Sequence, residues 1–271
     1  MPELPEVETT RLALKNFVIQ QVIKSVTLRQ LKLRWPIPAD LDKKLHNKTV
    51  LDLTRMGKYL LFHFQNGALL LHLGMSGRLH FHQEPCAPGA HDHVDIHFQN
   101  GTFLRFTDPR RFGALLWTEA PFAEHKLLKH LGIEPLIKTF NAAYLFEQTR
   151  RRKLPIKSLL MDSKVIVGIG NIYAQEALFE AGIKPTKAAG LLTLAQSGRL
   201  VKAIQSVLKK ALKSGGTTFR DFRSPDGSRG YFSLKLKVYG KEGLPCSVCA
   251  STLKTIRMSG RSTVYCNFCQ K

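Results

Sequence analysis

The sequence predicts an α+β multidomain protein: an N-terminal β-sandwich with a leading helix, an all-α domain, and a small C-terminal β-hairpin module built around four cysteines. Three observations predict it. From about residue 19 to 118, apolar side chains alternate with polar ones in short runs, the period of half-buried strands. From about 122 to 215 the apolar spacing lengthens to three and four residues, the period of helices. The last 35 or so residues hold two Cys-x-x-Cys pairs and too few apolar side chains for a core of their own. These shifts set the expected boundaries at residues 2–120, 121–225 and 237–271.

The chain opens MPELPEVETT. Leu4, Val7, Leu14 and Phe17 keep helical spacing over 4–18. Pro5 suits the first helical position, and Glu6 and Glu8 suit a first turn, where acids complement the helix dipole. Pro2 is not needed by that arrangement. VLDLT, KYLLFHF, ALLLHL, RLHFH, HVDIHF and TFLRFT then read as strands. Asn66-Gly67 and Asn100-Gly101 read as hairpin turns. No helical run separates these strands, which argues against an α/β fold. HKLLKHL, AAYLFEQT, IKSLLMD, IYAQEALFEAG and LVKAIQSVLKKALKSGG read as helices, the last stopped by Gly215-Gly216. A Gly/Ser/Arg-rich segment from Ser214 to Gly230 reads as a mobile loop. TLKTIRM and STVYC read as the strands of the final hairpin, with Ser259-Gly260-Arg261 at its tip.

The chain has 271 residues, 44% hydrophobic and 23% charged, which is core material for about two domains. Lys plus Arg is 41 against 20 for Asp plus Glu, a net charge of +21. That field, with a pI near 10.0, favours a polyanion: nucleic acid or an anionic membrane surface. Glu3, Glu6 and Glu8 stand where a signal peptide would carry its basic residues. The longest apolar stretch, ALLLHLGM at 68–75, is too short to span a bilayer. A cytoplasmic protein is expected, with reduced thiols, so paired cysteine spacings point to metal rather than disulfide.

Cys246, Cys249, Cys266 and Cys269 form two Cys-x-x-Cys pairs separated by sixteen residues. Four thiolates so spaced suit one tetrahedral zinc closing a hairpin, and full coordination makes it structural. Cys86 stands apart as a plain surface thiol. In VGIGNIYAQEALFEAGIKP, Gly168 and Gly170 precede Asn171 at a helix start, which suits a bound phosphate or, as readily, a tight helix–helix turn. RRRK at 150–153, with Arg152, and then Lys157 read as a patch facing a nucleic-acid backbone. In FTDPRRFGALLW, Asp108-Pro109 signals a turn, and Arg110, Arg111 and Phe112 follow at its tip. Such a tip can wedge a duplex, with Met75 as a further wedge. Spacing alone favours core packing for Phe112 and Met75. His91, Asp92, His93 and Asp95 have metal-ligating side chains. The alternation of Val94, Ile96 and Phe98 argues instead for a strand with its polar residues facing out and His91 against DNA. Lys58 follows Gly57 in a loop before a strand.

Together MPELPEVETTR, GKYLL, HLGMSG, HDHVD, TDPRRFG, GIGNIY, the GGTT loop and the terminal cysteine pairs resemble bacterial formamidopyrimidine-DNA glycosylase across essentially the whole chain. The related endonuclease VIII-type enzymes typically carry Gly in place of Leu4 and lack the DPRRF segment. The resemblance implies that the all-α domain is a helix–two-turn–helix. It implies a bifunctional DNA glycosylase and AP lyase that removes oxidised purines, 8-oxoguanine and formamidopyrimidines, in base excision repair. The implied partner is double-stranded DNA carrying oxidised purines or abasic sites, met by a monomer at the nucleoid and away from membranes. Removal of Met1 leaves Pro2 with a secondary amine whose pKa, ~7.7–8.0 for an α-amino group against ~10.4 for Lys, suits a nucleophile at neutral pH. By the resemblance Pro2 forms a Schiff base and drives β,δ-elimination. Glu3 is the general acid, Lys58 acts near the lesion and in β-elimination, and Arg261 serves δ-elimination and phosphate binding. Glu6 orients the amine or only caps the helix. His91, Arg110, Arg152, Lys157 and Asn171 contact DNA. Met75, Arg110 and Phe112 fill the gap left by a flipped base, which residues within 217–230 read. Two other readings stay open: an oxidised-pyrimidine glycosylase of endonuclease VIII type, and a non-catalytic, zinc-dependent binder of damaged DNA, which would have no use for Pro2-Glu3.

Overall fold

A computed structural model describes residues 1–216 and 235–271. The rest of the loop expected over Ser214–Gly230, with the residues expected to read a flipped base, lies outside the described residues. The chain divides into two compact units. One is built on Met1–Lys129, the other on His130–Lys213 with the C-terminal residues.

The first unit begins with helix α1, Leu4–Val18, whose N-cap is Glu3, so Pro5 occupies its second position. Eight strands follow: β1 Ile23–Leu28, β2 Asp52–Met56, β3 Tyr59–Phe64, β4 Gly67–His72, β5 Arg78–His82, β6 Asp92–Phe98, β7 Phe103–Thr107 and β8 Ala114–Thr118. They form two four-stranded sheets, in the orders β1-β6-β7-β5 and β2-β3-β4-β8, with every pairing antiparallel. Leu60, Phe62, Leu69 and Leu71 from one sheet and Val94, Ile96, Leu104 and Phe106 from the other share a single core with Val7 and Leu14 of α1. Burying such side chains is the main stabilising term, about 1.5–3 kcal/mol for each large aliphatic or aromatic group.

Four elements depart from expectation. β1 and β8 lie outside the runs recognisable as strands, because Lys24, Ser25 and Thr27 dilute the first and the second continues directly from the DPRRFG loop. A five-residue helix, α2 at Leu41–Leu45, stands between β1 and β2. HKLLKHL is not helical: only a 3-10 turn at Phe122–Glu124 precedes it, and its seven residues, in the short span between Pro121 and Gly132, cannot offset the cost of helix nucleation. The hairpin at Asn66-Gly67 is present, but its glycine answers to packing. A Cβ on Gly67 would come within 2.4 Å of the Trp117 ring.

The second unit holds α3 Ala142–Thr149, α4 Ile156–Leu160, α5 Asn171–Glu180 and α6 Leu194–Lys213. The twenty-residue α6 packs on α3 and α5. Gly215 and Gly216 follow it with φ of 70° and 79°, the left-handed region glycine tolerates. Strands β9, Lys254–Met258, and β10, Arg261–Tyr265, make the final hairpin. Its two-residue turn, Ser259-Gly260, has φ of 48° and 75°, matching the twist of the strands. α5 carries the hairpin: Gln175 Oε1 accepts from Val264 N at 2.7 Å, and its amide donates to the Ser262 carbonyl at 3.1 Å. Glu176 accepts the backbone N–H groups of Lys237, Val238 and Tyr239. Among the described residues, no helix is long and apolar enough to cross a membrane.

Candidate active site and zinc centre

Pro2 and Glu3 are buried where the chain enters α1. Glu3 N donates to Glu6 Oε2 at 2.9 Å, tying the N-cap to the first turn. Glu6 is itself buried and faces Gly216, where a Cβ would stand 3.1 Å from Glu6 Oε1. α1 packs against β2 and β3, and the turn joining these strands is Gly57-Lys58, with Gly57 at φ 59°. Next to that turn His72, opposite Tyr59 in the sheet, has its pKa pushed down to about 4, by burial first and then by the charges of Lys58 and Arg34. A neutral His72 fits its contact: Nδ1 accepts from Gly74 N at 3.0 Å.

Two loops of the first unit present the wedge candidates. Phe112 is 45% exposed, so it is not a core residue as its spacing favours. Met75 is half-buried. The Arg110 guanidinium lies 5.0 Å from the centre of the Phe112 ring. Asp108, fully buried, holds both loops. Its Oδ1 accepts from Ser76 Oγ at 2.9 Å and its Oδ2 from Gly113 N at 2.8 Å. The backbone closes the link: a Cβ on Gly74 would lie 2.5 Å from Gly113 N. His91 is exposed and lines a pocket of about 340 Å³ with Arg29 and Arg111. The neighbouring polar residues do not face out. His93 is buried, with Nε2 2.8 Å from the Asp108 carbonyl. Asp95 is buried between Arg29 and Arg105. Burial would raise its carboxyl, but the two arginines outweigh that and hold it at about 2. Two of the four candidate metal ligands at 91–95 are thus structural.

In the second unit, Lys157 is 2% exposed. Its Nζ donates to Asn171 Oδ1 and to Thr263 Oγ1, each at 2.6 Å. It forms the floor of a small pocket, about 140 Å³, with Arg261 and Ser259 on the rim. Asn171 opens α5 behind Gly168, at φ 83°, and Gly170. Arg152 is half-buried beside the turn its neighbour Arg151 makes with φ 57°. From sequence Asp108 reads only as a turn former, and Ser76, Gln175 and Glu176 carry no role. The signal for Glu176 is a carboxylate in the middle of a largely apolar helical run.

The four cysteines fit zinc. Their Sγ atoms all lie within 4.8 Å of one another, with Cys249–Cys266 at 3.5 Å and Cys246–Cys269 at 3.9 Å. A tetrahedron of Zn–S bonds near 2.3 Å needs edges of about 3.8 Å. Backbone N–H groups of Val248 and Cys269 point at Cys246 and Cys266 Sγ, compensating thiolate charge. Four protein ligands leave no open position, so the ion's role is to hold the hairpin.

A helix-led β-sandwich, a helical domain and a four-thiolate hairpin, in that order, define a zinc-bearing class of three-part chains. Family models match in the same order: formamidopyrimidine-DNA glycosylase N-terminal domain over 1–115, formamidopyrimidine-DNA glycosylase H2TH domain over 131–223, and the zinc finger found in FPG and IleRS over 243–271. A formamidopyrimidine-DNA glycosylase of Saccharophagus degradans is 52% identical over 271 residues, covering all of both chains. The crystal structure of the MutM (FPG) protein of Thermus thermophilus superposes with a TM-score of 0.89 at 37% identity, covering 99% of this chain and 98% of that one. A Lactococcus lactis FPG mutant in complex with Fapy-dG DNA gives 0.93 at 32%, covering both chains fully. The chain belongs to the formamidopyrimidine-DNA glycosylase family.

Proposed function

We propose that the chain is a bifunctional DNA glycosylase and AP lyase that excises oxidised purines from duplex DNA in base excision repair. The observation that carries the reading is the buried Pro2-Glu3 pair heading a helix that packs on the two strands whose turn holds Lys58. The Fapy-dG DNA bound by the L. lactis relative supports the purine substrate.

With Met1 removed, the Pro2 nitrogen attacks C1′ of the damaged nucleotide and the bond from C1′ to the base breaks. The C1′–O4′ bond then opens with a proton from Glu3 on O4′, leaving an iminium between C1′ and Pro2. That electron sink acidifies C2′–H. Loss of the proton, served by Lys58, expels the 3′ phosphate, and a second elimination from C4′ expels the 5′ phosphate. Arg261 at the hairpin turn, with Lys157 and Asn171 beside it, neutralises phosphate charge. His91 and Arg152 hold the backbone. Met75, Arg110 and Phe112 occupy the gap left by the extruded base. Zinc, when bound, supplies folding energy to the hairpin that presents Arg261. The enzyme acts as a cytoplasmic, nucleoid-associated monomer.

A lesion panel tests the reading. Duplexes carrying formamidopyrimidine or 8-oxoguanine should lose the base and be cut on both sides of the sugar, well ahead of a duplex carrying thymine glycol. The reverse order assigns the chain to oxidised pyrimidines. Tight binding without base release makes it a non-catalytic binder.

A further inference from the structure

We propose that Glu8 and Arg55 form a positioning clamp that sets the Lys58 turn against the helix carrying Pro2 and Glu3. The inference rests on the catalytic reading above and extends it to two residues that touch no substrate. Glu8 lies on α1, one turn beyond the N-terminal pair. Its Oε2 accepts from Arg55 Nε at 2.9 Å, and Arg55 Nη1 donates to the Gly57 carbonyl at 2.8 Å. That carbonyl belongs to the peptide whose nitrogen is that of Lys58. Met56 pairs with Tyr59, so Gly57 and Lys58 are the two loop residues of the hairpin. Gly57 has φ 59°, a left-handed conformation that glycine adopts without a Cβ clash, and the guanidinium holds the carbonyl of the peptide that follows. The planar guanidinium reaches the carboxylate with one nitrogen and the carbonyl with another, a fork that an ammonium cannot reproduce.

The same carboxylate supplies its own control. Arg11 also pairs with Glu8, at 2.7 Å, but donates onward to the Leu53 carbonyl at 3.2 Å, on β2 away from the turn. All three side chains are largely buried, at 12–18% exposure. The Glu8 carboxyl sits below its ordinary pKa: burial raises it, and the hydrogen bonds and charges of Arg11 and Arg55 outweigh that.

The test compares Glu8→Gln, Arg55→Lys and Arg11→Lys in single-turnover excision of 8-oxoguanine, at a temperature where urea titration shows each variant folded. Misplacing a catalytic group by about an ångström costs about 100-fold. Glu8→Gln and Arg55→Lys should therefore slow excision by about 10- to 100-fold with DNA affinity unchanged; Arg55→Lys loosens the Gly57 carbonyl alone, whereas Glu8→Gln also weakens the Arg11 arm and so loses stability as well. Arg11→Lys should lose stability and keep the wild-type rate. A wild-type rate in Arg55→Lys overturns the clamp. So does an Arg11→Lys variant slowed as much as Arg55→Lys, since general helix docking would then be responsible. Wild-type protein that releases no base refutes the catalytic reading itself, and the clamp with it.

Discussion

Asp108 is the residue on which both wedge loops depend, and its removal has a size that can be worked from the structure. The carboxylate is fully buried and accepts one hydroxyl and one backbone amide. Hydrogen bonds to a charged group are each worth about 1.5–3 kcal/mol, and a buried donor left unpaired costs about 1–3 kcal/mol. The Ser76 hydroxyl can turn to another acceptor, but the Gly113 amide is fixed. Asp108→Ala should therefore cost at least about 3 kcal/mol. With a urea slope of about 1–3 kcal/mol/M, the unfolding midpoint falls by about 1–3 M. Asp108→Asn should be much milder, about 1 kcal/mol. Its oxygen can still accept from Gly113 while its NH₂ donates to the Ser76 oxygen, exchanging charged for neutral bonds. The assay is urea unfolding of both variants, with excision opposite cytosine read on the folded protein. A loss below 1 kcal/mol in Asp108→Ala, or equal losses in Ala and Asn, would refute the view that these bonds hold the loops.

Arg110→Ala should lower excision opposite cytosine more than opposite adenine, because a guanidinium matches the acceptors O2 and N3 of an orphaned cytosine, a discrimination worth ~1–3 kcal/mol; an unchanged ratio on matched duplexes makes Arg110 a backbone contact. Chelation of zinc, or Cys249→Ser, should unfold the hairpin and weaken DNA binding while the β-sandwich keeps its urea midpoint, and native mass spectrometry finding no metal in wild-type protein would contradict this. His72 titrates near 4 when folded and near 6.5 when unfolded. The unfolded chain thus takes the proton first, and the His72 contribution to stability, complete above pH 6.5, is lost as pH falls toward 4. His72→Asn keeps an acceptor for Gly74 and should flatten that window; an NMR midpoint near 6.5 for His72 would contradict the assignment.

The parts legible in the sequence are those whose physics is local. The Cys246–Cys249 and Cys266–Cys269 pairs are readable because a metal knuckle needs its ligands two residues apart, and α6 because its apolar stripe repeats over twenty residues. Much of what is not legible there depends on distant partners. Asp108 reads as a turn former, since nothing near it in sequence shows that Ser76, 32 residues away, donates to it. The alternation in β6 leaves His93 and Asp95 facing away from Val94, and only the fold shows that the Asp108 carbonyl meets His93 and that Arg29 and Arg105 cover Asp95. Lys157 reads as one more charge in a basic run, whereas Asn171 and Thr263 bury it. HKLLKHL has helical spacing without the length to form a helix. Asn66-Gly67 marks the β3–β4 hairpin, although the Gly67 position answers to Trp117.

The central claim is that the amine of Pro2, exposed by removal of Met1, is the nucleophile. It is tested most directly by incubating mature protein with abasic-site DNA in the presence of borohydride, which reduces the iminium to a stable amine, and mapping the cross-linked peptide by mass spectrometry. The account predicts one covalent adduct, on Pro2, that disappears when Met1 is retained. An adduct of undiminished yield on Lys58, or one formed as well with Met1 in place, would contradict it.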